Sequence, residues 1–307
     1  MKRTASLILC LVLICTSFAG CGAKKANNNN STGTENTDIE LKITVDSHYD
    51  DVDESTVRAY EKLCTAVMNY ETEIKFNTAL TDRVNQLFYT SFPLYSLVEG
   101  IDFLDDNSGV TISYVNEKEA HLAKVAEFKK AVSDIMINCG YGKVTSNLYL
   151  LNLYTYIATN VTIDNSVLSE METILTKKGI NSTISGMFEY LLLQAGVKAS
   201  HVMNLNTDSV ATMISMAQLN GKWYYFDPTA EIKENSGEGL MFFAMDEIRA
   251  LNSASSAAFV YTDNSAPEPA EDDFFEPLKD CTSYTVEGNK VNAKLKGGKS
   301  FEFELNQ

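Results

Sequence analysis

The chain has 307 residues, of which 45% are hydrophobic and 21% charged, which is enough to bury a sizeable core in one or two domains. Its formal net charge is −16, and no basic patch stands out along the sequence. Nucleic acid is therefore excluded as an expected partner, and so is direct electrostatic binding to an anionic lipid surface.

The N-terminus carries the pattern of a targeting signal. Lys2 and Arg3 precede an apolar run from Ala5 to Phe18, which is too short for an ordinary membrane-spanning helix. The sequence therefore predicts a signal peptide over residues 1–20, followed by a polar tether of low complexity over residues 21–40.

The segment Phe18-Ala19-Gly20-Cys21 at the end of this run resembles a bacterial lipobox. The resemblance implies cleavage before Cys21 and attachment of lipid to it. The expected partner is then the cell membrane, and the expected location is lipid-anchored and outside the cytoplasm. An ordinary signal peptide that is cut near Gly20 is the alternative.

Residues 41–165 are predicted to form a mostly helical N-terminal region. Apolar residues recur at helical spacing over four stretches of it and alternate with polar residues over one. The helices are expected over Ser55–Tyr70, Thr81–Tyr89, Glu117–Cys139 and Ser146–Thr159, and the strand over Gly109–Val115.

Beyond Cys21 the chain has three cysteines, Cys64, Cys139 and Cys281. Their odd number and wide spacing predict neither a disulfide framework nor a zinc site, and no cofactor or metal is expected. Cys64 falls on the apolar face of the first helix and is predicted to lie in the core. Cys139 is predicted to end its helix, with Gly140 in the left-handed position that follows.

The most informative stretch begins with a predicted helix. Residues Ser182–Ala195 place apolar side chains on one face, which is the pattern of an amphipathic helix. Asn181 or Ser182 can cap this helix, and Gly196 stands where a left-handed residue is wanted beyond its end. A short strand is predicted over Val197–Leu205.

A β-hairpin is predicted next. Two strand-like runs flank Asn220-Gly221, which is the strongest short-range signal for a two-residue type I′ turn. The turn fixes the register, which places Ile214 opposite Asp227 and Thr212 diagonal to Asp227 on one face of the hairpin. The two runs are Val210–Leu219 and Lys222–Asp227.

The sequence pattern is weaker beyond the hairpin. Leu240–Leu251 is predicted to pack on the core as a strand or a helix, and residues 252–307 are predicted to form an acidic linker and a small C-terminal β segment. Within this part, Asn252–Ala270 is typical of a linker, and Thr282–Leu305 alternates like two or three strands. These elements predict an α+β fold, with a core helix packed on an antiparallel sheet.

The helix and the hairpin together resemble the transglutaminase-like superfamily, whose fold is that of the papain-type cysteine peptidases. That family has a nucleophilic cysteine at the start of the core helix, a histidine at the start of a hairpin strand and an aspartate before Pro-Thr. The resemblance implies this core fold for residues 166–251. The matching residues are Gly179, Phe188, Leu191, Leu192, Ala195, Gly196 and Val197 in the helix motif, and Gly221, Trp223, Tyr224, Asp227, Pro228 and Thr229 in the hairpin motif.

The catalytic positions depart from the family pattern. Asn181 stands at the position of the cysteine and Thr212 at that of the histidine, so only Asp227 remains of the triad. The chemistry needs a thiolate nucleophile and an imidazole base, and neither an Asn amide nor a Thr hydroxyl replaces them near neutral pH. No catalytic residue is expected, and the protein is predicted to be a pseudoenzyme.

Other residues are candidate substitutes for the lost groups. Ser182 lies one residue past the cysteine position, but the sequence gives it no adjacent base, and a helix cap is the simpler interpretation. His201 lies on the preceding strand, where an exposed or packed side chain is the simpler interpretation. Four tyrosines either line a groove or pack in the core: Tyr89, Tyr95, Tyr154 and Tyr156.

The predicted function is that of a membrane-anchored, extracytoplasmic binding module for a peptide, a protein or a peptidoglycan ligand. Two alternatives stay open. One is an active transglutaminase-like peptidase or cross-linking acyltransferase with an unusual nucleophile, and the other is a structural envelope protein without a ligand. The loss of both the cysteine and the histidine favours the binding module over the enzyme.

Overall fold

A computed structural model describes the chain over residues 39–49, 52–76, 82–104, 108–206, 211–253, 256–260 and 267–306. The predicted signal peptide, Cys21 and nearly all of the predicted tether lie outside these residues. Within the described ranges, no helix is long and apolar enough to cross a membrane.

The described residues form eight α-helices, which are α1 (Glu54–Asn69), α2 (Asp82–Ser91), α3 (Lys118–Asn138), α4 (Ser146–Asn160), α5 (Glu170–Thr176), α6 (Asn181–Gln194), α7 (Pro228–Asn235) and α8 (Glu247–Ser253). The four helices predicted for the N-terminal region are confirmed as α1 to α4. Asp53 caps α1, because its carboxylate accepts hydrogen bonds from the backbone of Ser55 and Thr56. Leu240–Leu251 contains the start of α8, so a helix forms where the prediction left strand or helix open.

The strands of the described residues form four small sheets. They are β1 (Glu73–Lys75), β2 (Val98–Phe103), β3 (Gly109–Tyr114), β4 (Thr162–Ile163), β5 (Lys178–Gly179), β6 (Ala199–Asn206), β7 (Ala211–Leu219), β8 (Lys222–Phe226), β9 (Ser256–Val260), β10 (Cys281–Glu287), β11 (Lys290–Leu295) and β12 (Ser300–Glu304). The order is β1-β3-β2 in one antiparallel sheet and β10-β11-β12 in another, and β4 pairs with β5 in parallel. Helices beside mainly antiparallel sheets confirm the predicted α+β class.

The fourth sheet is the central one, and its strand order is β8-β7-β6-β9 with antiparallel neighbours. β7 and β8 form the predicted hairpin in the predicted register, with Leu219 paired to Lys222 and Ser215 to Phe226. β9 pairs with β6 although its residues fall in the stretch expected to be a linker. The linker expectation is therefore wrong for residues 256–260.

The two faces of the central sheet pack against different groups. Ser215 faces α6, because its hydroxyl donates a hydrogen bond to the Ser185 carbonyl at 3.2 Å. Side chains alternate along a strand, so Met213 shares this face and Ile214 lies on the other. Ile214 is buried there in a separate apolar cluster with Tyr225. The face that carries Ser215 and Met213 is the one that positions the candidate site.

The core helix α6 starts differently from the prediction. It begins at Asn181, and Ile180 holds the capping position, so neither Asn181 nor Ser182 caps it. Thr183 Oγ1 accepts a hydrogen bond from the Ile180 backbone at 3.2 Å, which satisfies one donor at the helix end. Beyond the other end, Gly196 has the predicted left-handed conformation, with φ of 79°.

The C-terminal sheet packs into the main body of the protein. Its buried side chains, including Val291 and Phe303, belong to the same hydrophobic cluster as the buried face of α6. Asn220 ties the hairpin turn to this end of the chain, because its amide donates to the Glu304 carbonyl at 3.2 Å and its Oδ1 accepts from the Asn306 backbone at 2.9 Å. The predicted β segment is thus part of the main core.

Gly221→Val should lower the free energy of unfolding by roughly 1–3 kcal/mol. Asn220 and Gly221 have φ of 52° and 79°, as the type I′ turn requires, and a β-branched residue is strained there. No atom lies within 4 Å of a Cβ built on Gly221, so the strain is conformational. Gly100→Val is the matched control, because Gly100 has equally open space and no positive φ. Equal melting temperatures for the two variants would contradict the prediction.

Candidate functional site

Asn181 lies in the first turn of α6, and its side chain holds the helix to the hairpin. Its Oδ1 accepts a hydrogen bond from the backbone N–H of Met213 at 2.6 Å. One turn further along α6, the Ser185 hydroxyl donates to the Met213 carbonyl at 2.9 Å. The position that the resemblance assigns to a nucleophile is therefore held by an amide with a structural role.

Thr212 is adjacent to this contact in sequence, but it lies on the other face of β7. Alternation along the strand puts it with Ile214, on the side turned away from α6. The residue that meets the start of α6 is Met213. No hydrogen bond among the described residues joins Thr212 to Asn181, and the assignment of Thr212 as the former base position stays a prediction.

Asp227 follows the last hairpin strand and caps α7. Its Oδ1 accepts a hydrogen bond from the Ala230 backbone at 2.9 Å, and its own N–H donates to the Phe242 carbonyl at 3.0 Å. Burial raises the pKa of its carboxyl from 3.8 to about 6. Within the part of the chain that the structure describes, no hydrogen bond links Asp227 to Asn181 or Thr212.

Asp227→Asn should raise stability near neutral pH and change it little at acidic pH. The folded pKa of about 6 exceeds the unfolded value of 3.8, so stability from this group is lost as pH rises through that window. Asn keeps the cap without the charge, and the expected gain near pH 7 is roughly 1–3 kcal/mol. Urea unfolding near pH 4 and pH 7 measures it, with the exposed Asp273→Asn as the control. An equal gain in stability at both pH values would show that ionisation of the Asp227 carboxyl group is not the cause.

A cavity of about 200 Å³ lies along α6. Ser182, Gly186 and Glu189 line it from the helix, where their spacing puts them on one face. His201 lines it from β6, because that position of the strand faces α6. The rest of the lining includes Tyr89, Tyr95, Glu170 and Met213.

His201 belongs to a buried cluster with two carboxyl groups. Its Nδ1 lies 2.6 Å from Glu189 Oε2 and 3.1 Å from Asp46 Oδ2. The same Asp46 oxygen accepts a hydrogen bond from the His201 backbone at 3.4 Å. The exposed fraction of the side chain is 16% for His201, 4% for Glu189 and 2% for Asp46. Two acidic side chains from distant parts of the chain thus hold the imidazole.

The cluster determines what the imidazole can do chemically. Burial opposes a charge on His201, but the adjacent Glu189 and Asp46 carboxylates outweigh it and hold the pKa well above its ordinary value. Burial, together with the charge of Asp46, raises the pKa of Glu189 to about 8. The cluster therefore favours the protonated imidazole, which is a poor acceptor for the proton of the Ser182 hydroxyl.

Glu170 adds a second carboxyl group to the lining of the cavity. Burial raises its pKa, and its Oε2 atom is buried without a hydrogen-bond partner. Burial, together with the charge of Glu170, raises the pKa of Tyr95 to about 12. Gly186 makes room for this side chain, because a Cβ at that position would lie 2.7 Å from Glu170 Cγ. The cavity wall therefore combines two carboxyl groups with one imidazole.

The cysteines of the described residues are free and buried, which confirms the core position predicted for Cys64. Burial raises the pKa of all three thiols, to about 12 for Cys139, and none of them lines the cavity. Gly140 has the predicted left-handed conformation, with φ of 87°, and follows the end of α3. None of the three thiols is placed to react as an activated thiolate.

The sequence predicts the aromatic part of the cavity better than its charged part. Tyr89 and Tyr95 line the cavity, as one of the two open interpretations expects, whereas Tyr154 is fully buried in the core. The pairing of His201 with Asp46 is not predicted, because 155 residues separate them. The one available signal is Glu189, which is the only charged residue of α6.

Comparison with known proteins finds distant structural similarity. No protein-family model and no curated protein matches the chain. Among solved structures, the "Putative Cysteine Protease from Cytophaga hutchinsonii" is 20% identical over 33% of this chain and 37% of its own, with a TM-score of 0.27. A structure described as a TGase is 12% identical over 51% of this chain and 50% of its own, with a TM-score of 0.30. Each match spans half or less of the solved protein.

Proposed function

We propose that the protein is a non-catalytic, transglutaminase-like binding protein, held at the cell membrane by lipid on Cys21 and facing outside the cytoplasm. Its ligand is an extended peptide or a cell-wall fragment, bound in the cavity beside α6. One observation carries this proposal. At the position where the resemblance places a nucleophile, the Asn181 side chain accepts a hydrogen bond from the Met213 backbone. A cavity is nevertheless present along the same helix.

The chemistry of the described residues supports binding over acyl transfer. The nucleophile of that reaction is a thiolate, and every described cysteine is buried with a raised pKa. The base of that reaction is a neutral imidazole, whereas the acidic groups beside His201 raise its pKa and favour its protonated form. The two groups needed for the covalent route are thus both absent from the start of α6.

The size and the lining of the cavity support a ligand that enters only in part. A volume of about 200 Å³ is below the roughly 300–1,000 Å³ of sites that enclose a small molecule. It fits one side chain or one sugar substituent of a longer ligand. Tyr89, which lines the cavity and is 52% exposed, offers an aromatic face for the rest of that ligand.

The test is a thermal-shift screen of the full chain in mild detergent against peptides and muropeptides. A ligand at roughly 100 times its dissociation constant should stabilise the fold by about 2.7 kcal/mol. Tyr89→Ala should remove most of the shift. Phe103→Ala should keep it, because Phe103 is also exposed (44%) but lies outside the cavity lining. No shift with any ligand, or equal shifts in the two variants, would contradict the proposal.

A second candidate function is hydrolysis or acyl transfer by a serine nucleophile. Ser182 and His201 line the same cavity, and Glu189 contacts the imidazole at Nδ1, which gives the residue types of a Ser-His-acid triad. The raised pKa of His201 weighs against this candidate. A fluorophosphonate probe separates the two functions: labelling that Ser182→Ala abolishes would favour the enzyme, and no labelling favours the binding protein.

A further inference from the structure

The cluster around His201 has the composition of a metal site. Asp46, Glu189 and His201 each offer one ligand atom, and these atoms all lie within 4.8 Å of one another. The three residues come from the segment before the 3₁₀ helix Ser47–Tyr49, from α6 and from β6. Folding of the whole domain, and no local sequence motif, therefore brings the three groups together.

The cluster holds more acidic than basic groups. The carboxyl groups of Asp46 and Glu189 contact each other as well as the imidazole of His201. A divalent cation between the two carboxyl groups and the imidazole would displace the protons that these groups hold without it. None of the residues that line the cavity is Lys or Arg, so the described lining supplies no further cation.

Glu170 lines the same cavity as Glu189 and His201. One oxygen of its carboxyl group, Oε2, is buried without a hydrogen-bond partner, while the carboxyl group also interacts with the Tyr95 side chain. A buried carboxylate oxygen that is left unpaired needs an explanation, and an ion or its bound water is one that fits an acidic cavity. The cluster and the unpaired oxygen thus both favour a bound cation.

We propose that Asp46, Glu189 and His201 bind a divalent transition-metal ion, Zn²⁺ or Mn²⁺, in the wall of the cavity. One imidazole with two carboxylates suits such an ion, whereas Ca²⁺ and Mg²⁺ take oxygen ligands. Three protein ligands leave a coordination position for water or for part of a ligand in the cavity. This inference goes beyond the proposed function and does not depend on it.

The geometry of the cluster needs little change to accept the ion. Metal–ligand bonds of about 2.0–2.2 Å place neighbouring ligand atoms roughly 3–3.5 Å apart. His201 Nδ1 lies 2.6 Å from Glu189 Oε2 and 3.1 Å from Asp46 Oδ2, and all three ligand atoms lie within 4.8 Å of one another, so side-chain shifts of about 1 Å suffice. The ion takes the place of the proton that the imidazole shares with the carboxylates.

Isothermal titration of the full chain, after dialysis against EDTA, tests the proposal with Zn²⁺ or Mn²⁺ alone. One ion should bind per chain, and Mg²⁺ should not compete. Glu189→Gln and His201→Gln should each weaken binding by about 100-fold or more. Glu127→Gln, at an exposed glutamate of α3, should leave binding unchanged. No binding by the wild type, or unchanged binding in both cluster variants, would overturn the proposal.

A second measurement uses only the wild-type chain, in case a cluster variant does not fold. The chain has three histidines, so its imidazole resonances are few. Zn²⁺ should shift the ring signals of His201. It should leave the ring signals of His121 unchanged, because His121 lies outside the cluster and its Nε2 is hydrogen-bonded with the Val67 carbonyl. Unshifted His201 signals at saturating Zn²⁺ would overturn the proposal. Ligand stabilisation in the Tyr89 experiment is a separate result, so the two proposals fail separately.

Discussion

Glu231→Ala should lower the free energy of unfolding by about 3–5 kcal/mol. Glu231 is fully buried, and its Oε2 accepts hydrogen bonds from the Tyr154 hydroxyl and the Phe242 backbone, each at 2.9 Å. Its Oε1 accepts a third hydrogen bond from Asn235 at 3.2 Å. Alanine leaves these buried donors unpaired and opens a cavity between α4 and α7. The fall in the free energy of unfolding therefore combines the lost hydrogen bonds with the cost of the cavity.

Urea unfolding measures this loss against two controls. Glu234→Ala removes an exposed glutamate of the same helix and should change stability by no more than about 0.5 kcal/mol. Glu231→Gln keeps an acceptor oxygen of similar shape and should cost less than Glu231→Ala. If Glu231→Ala and Glu234→Ala unfolded at the same urea concentration, Glu231 would not have the buried role described.

Cys21→Ala should move the protein almost completely from the membrane fraction to the soluble fraction. The expectation rests on the lipobox-like Phe18-Ala19-Gly20-Cys21 segment after a short apolar run, which lies outside the described residues. A single acyl chain binds membranes only marginally, whereas the two or three chains of a bacterial lipoprotein hold firmly. Cys21 is the predicted attachment point, so its loss should release the protein from the membrane.

Fractionation of cells that express each variant, followed by immunoblotting, measures the effect. Cys15→Ala is the matched control, because it changes a cysteine within the predicted signal peptide and keeps the attachment point. It should stay in the membrane fraction. Equal membrane fractions for wild type and Cys21→Ala would leave the ordinary signal peptide as the better interpretation.

Much of the fold is predictable because its strongest signals are local. The register of the hairpin follows from Asn220-Gly221 alone, since a two-residue turn leaves no freedom in the pairing. Gly140 and Gly196 mark helix ends for a similar reason, because both adopt the left-handed conformation. The pairing of β9 with β6 escapes prediction, because it joins segments about fifty residues apart and no turn specifies it.

The candidate site is less predictable, because its geometry depends on which face of a strand meets α6. Counting from Gly221 puts the former base at Thr212, whereas the structure places Met213 against Asn181. Sequence spacing gives a position along the strand, and only the packing shows which side chain faces the helix. The contact between His201 and Asp46 is missed for a related reason, because no local pattern connects them.

We propose that the chain binds a ligand beside α6 and does not catalyse acyl transfer. The most direct measurement is incubation of the purified full chain with a glutaminyl peptide and a primary amine, with and without iodoacetamide. We expect no cross-linked product and no released ammonia, because Asn181 is not a nucleophile and the thiols of the described residues are buried. Turnover that iodoacetamide abolishes would contradict the claim and would identify a reactive cysteine.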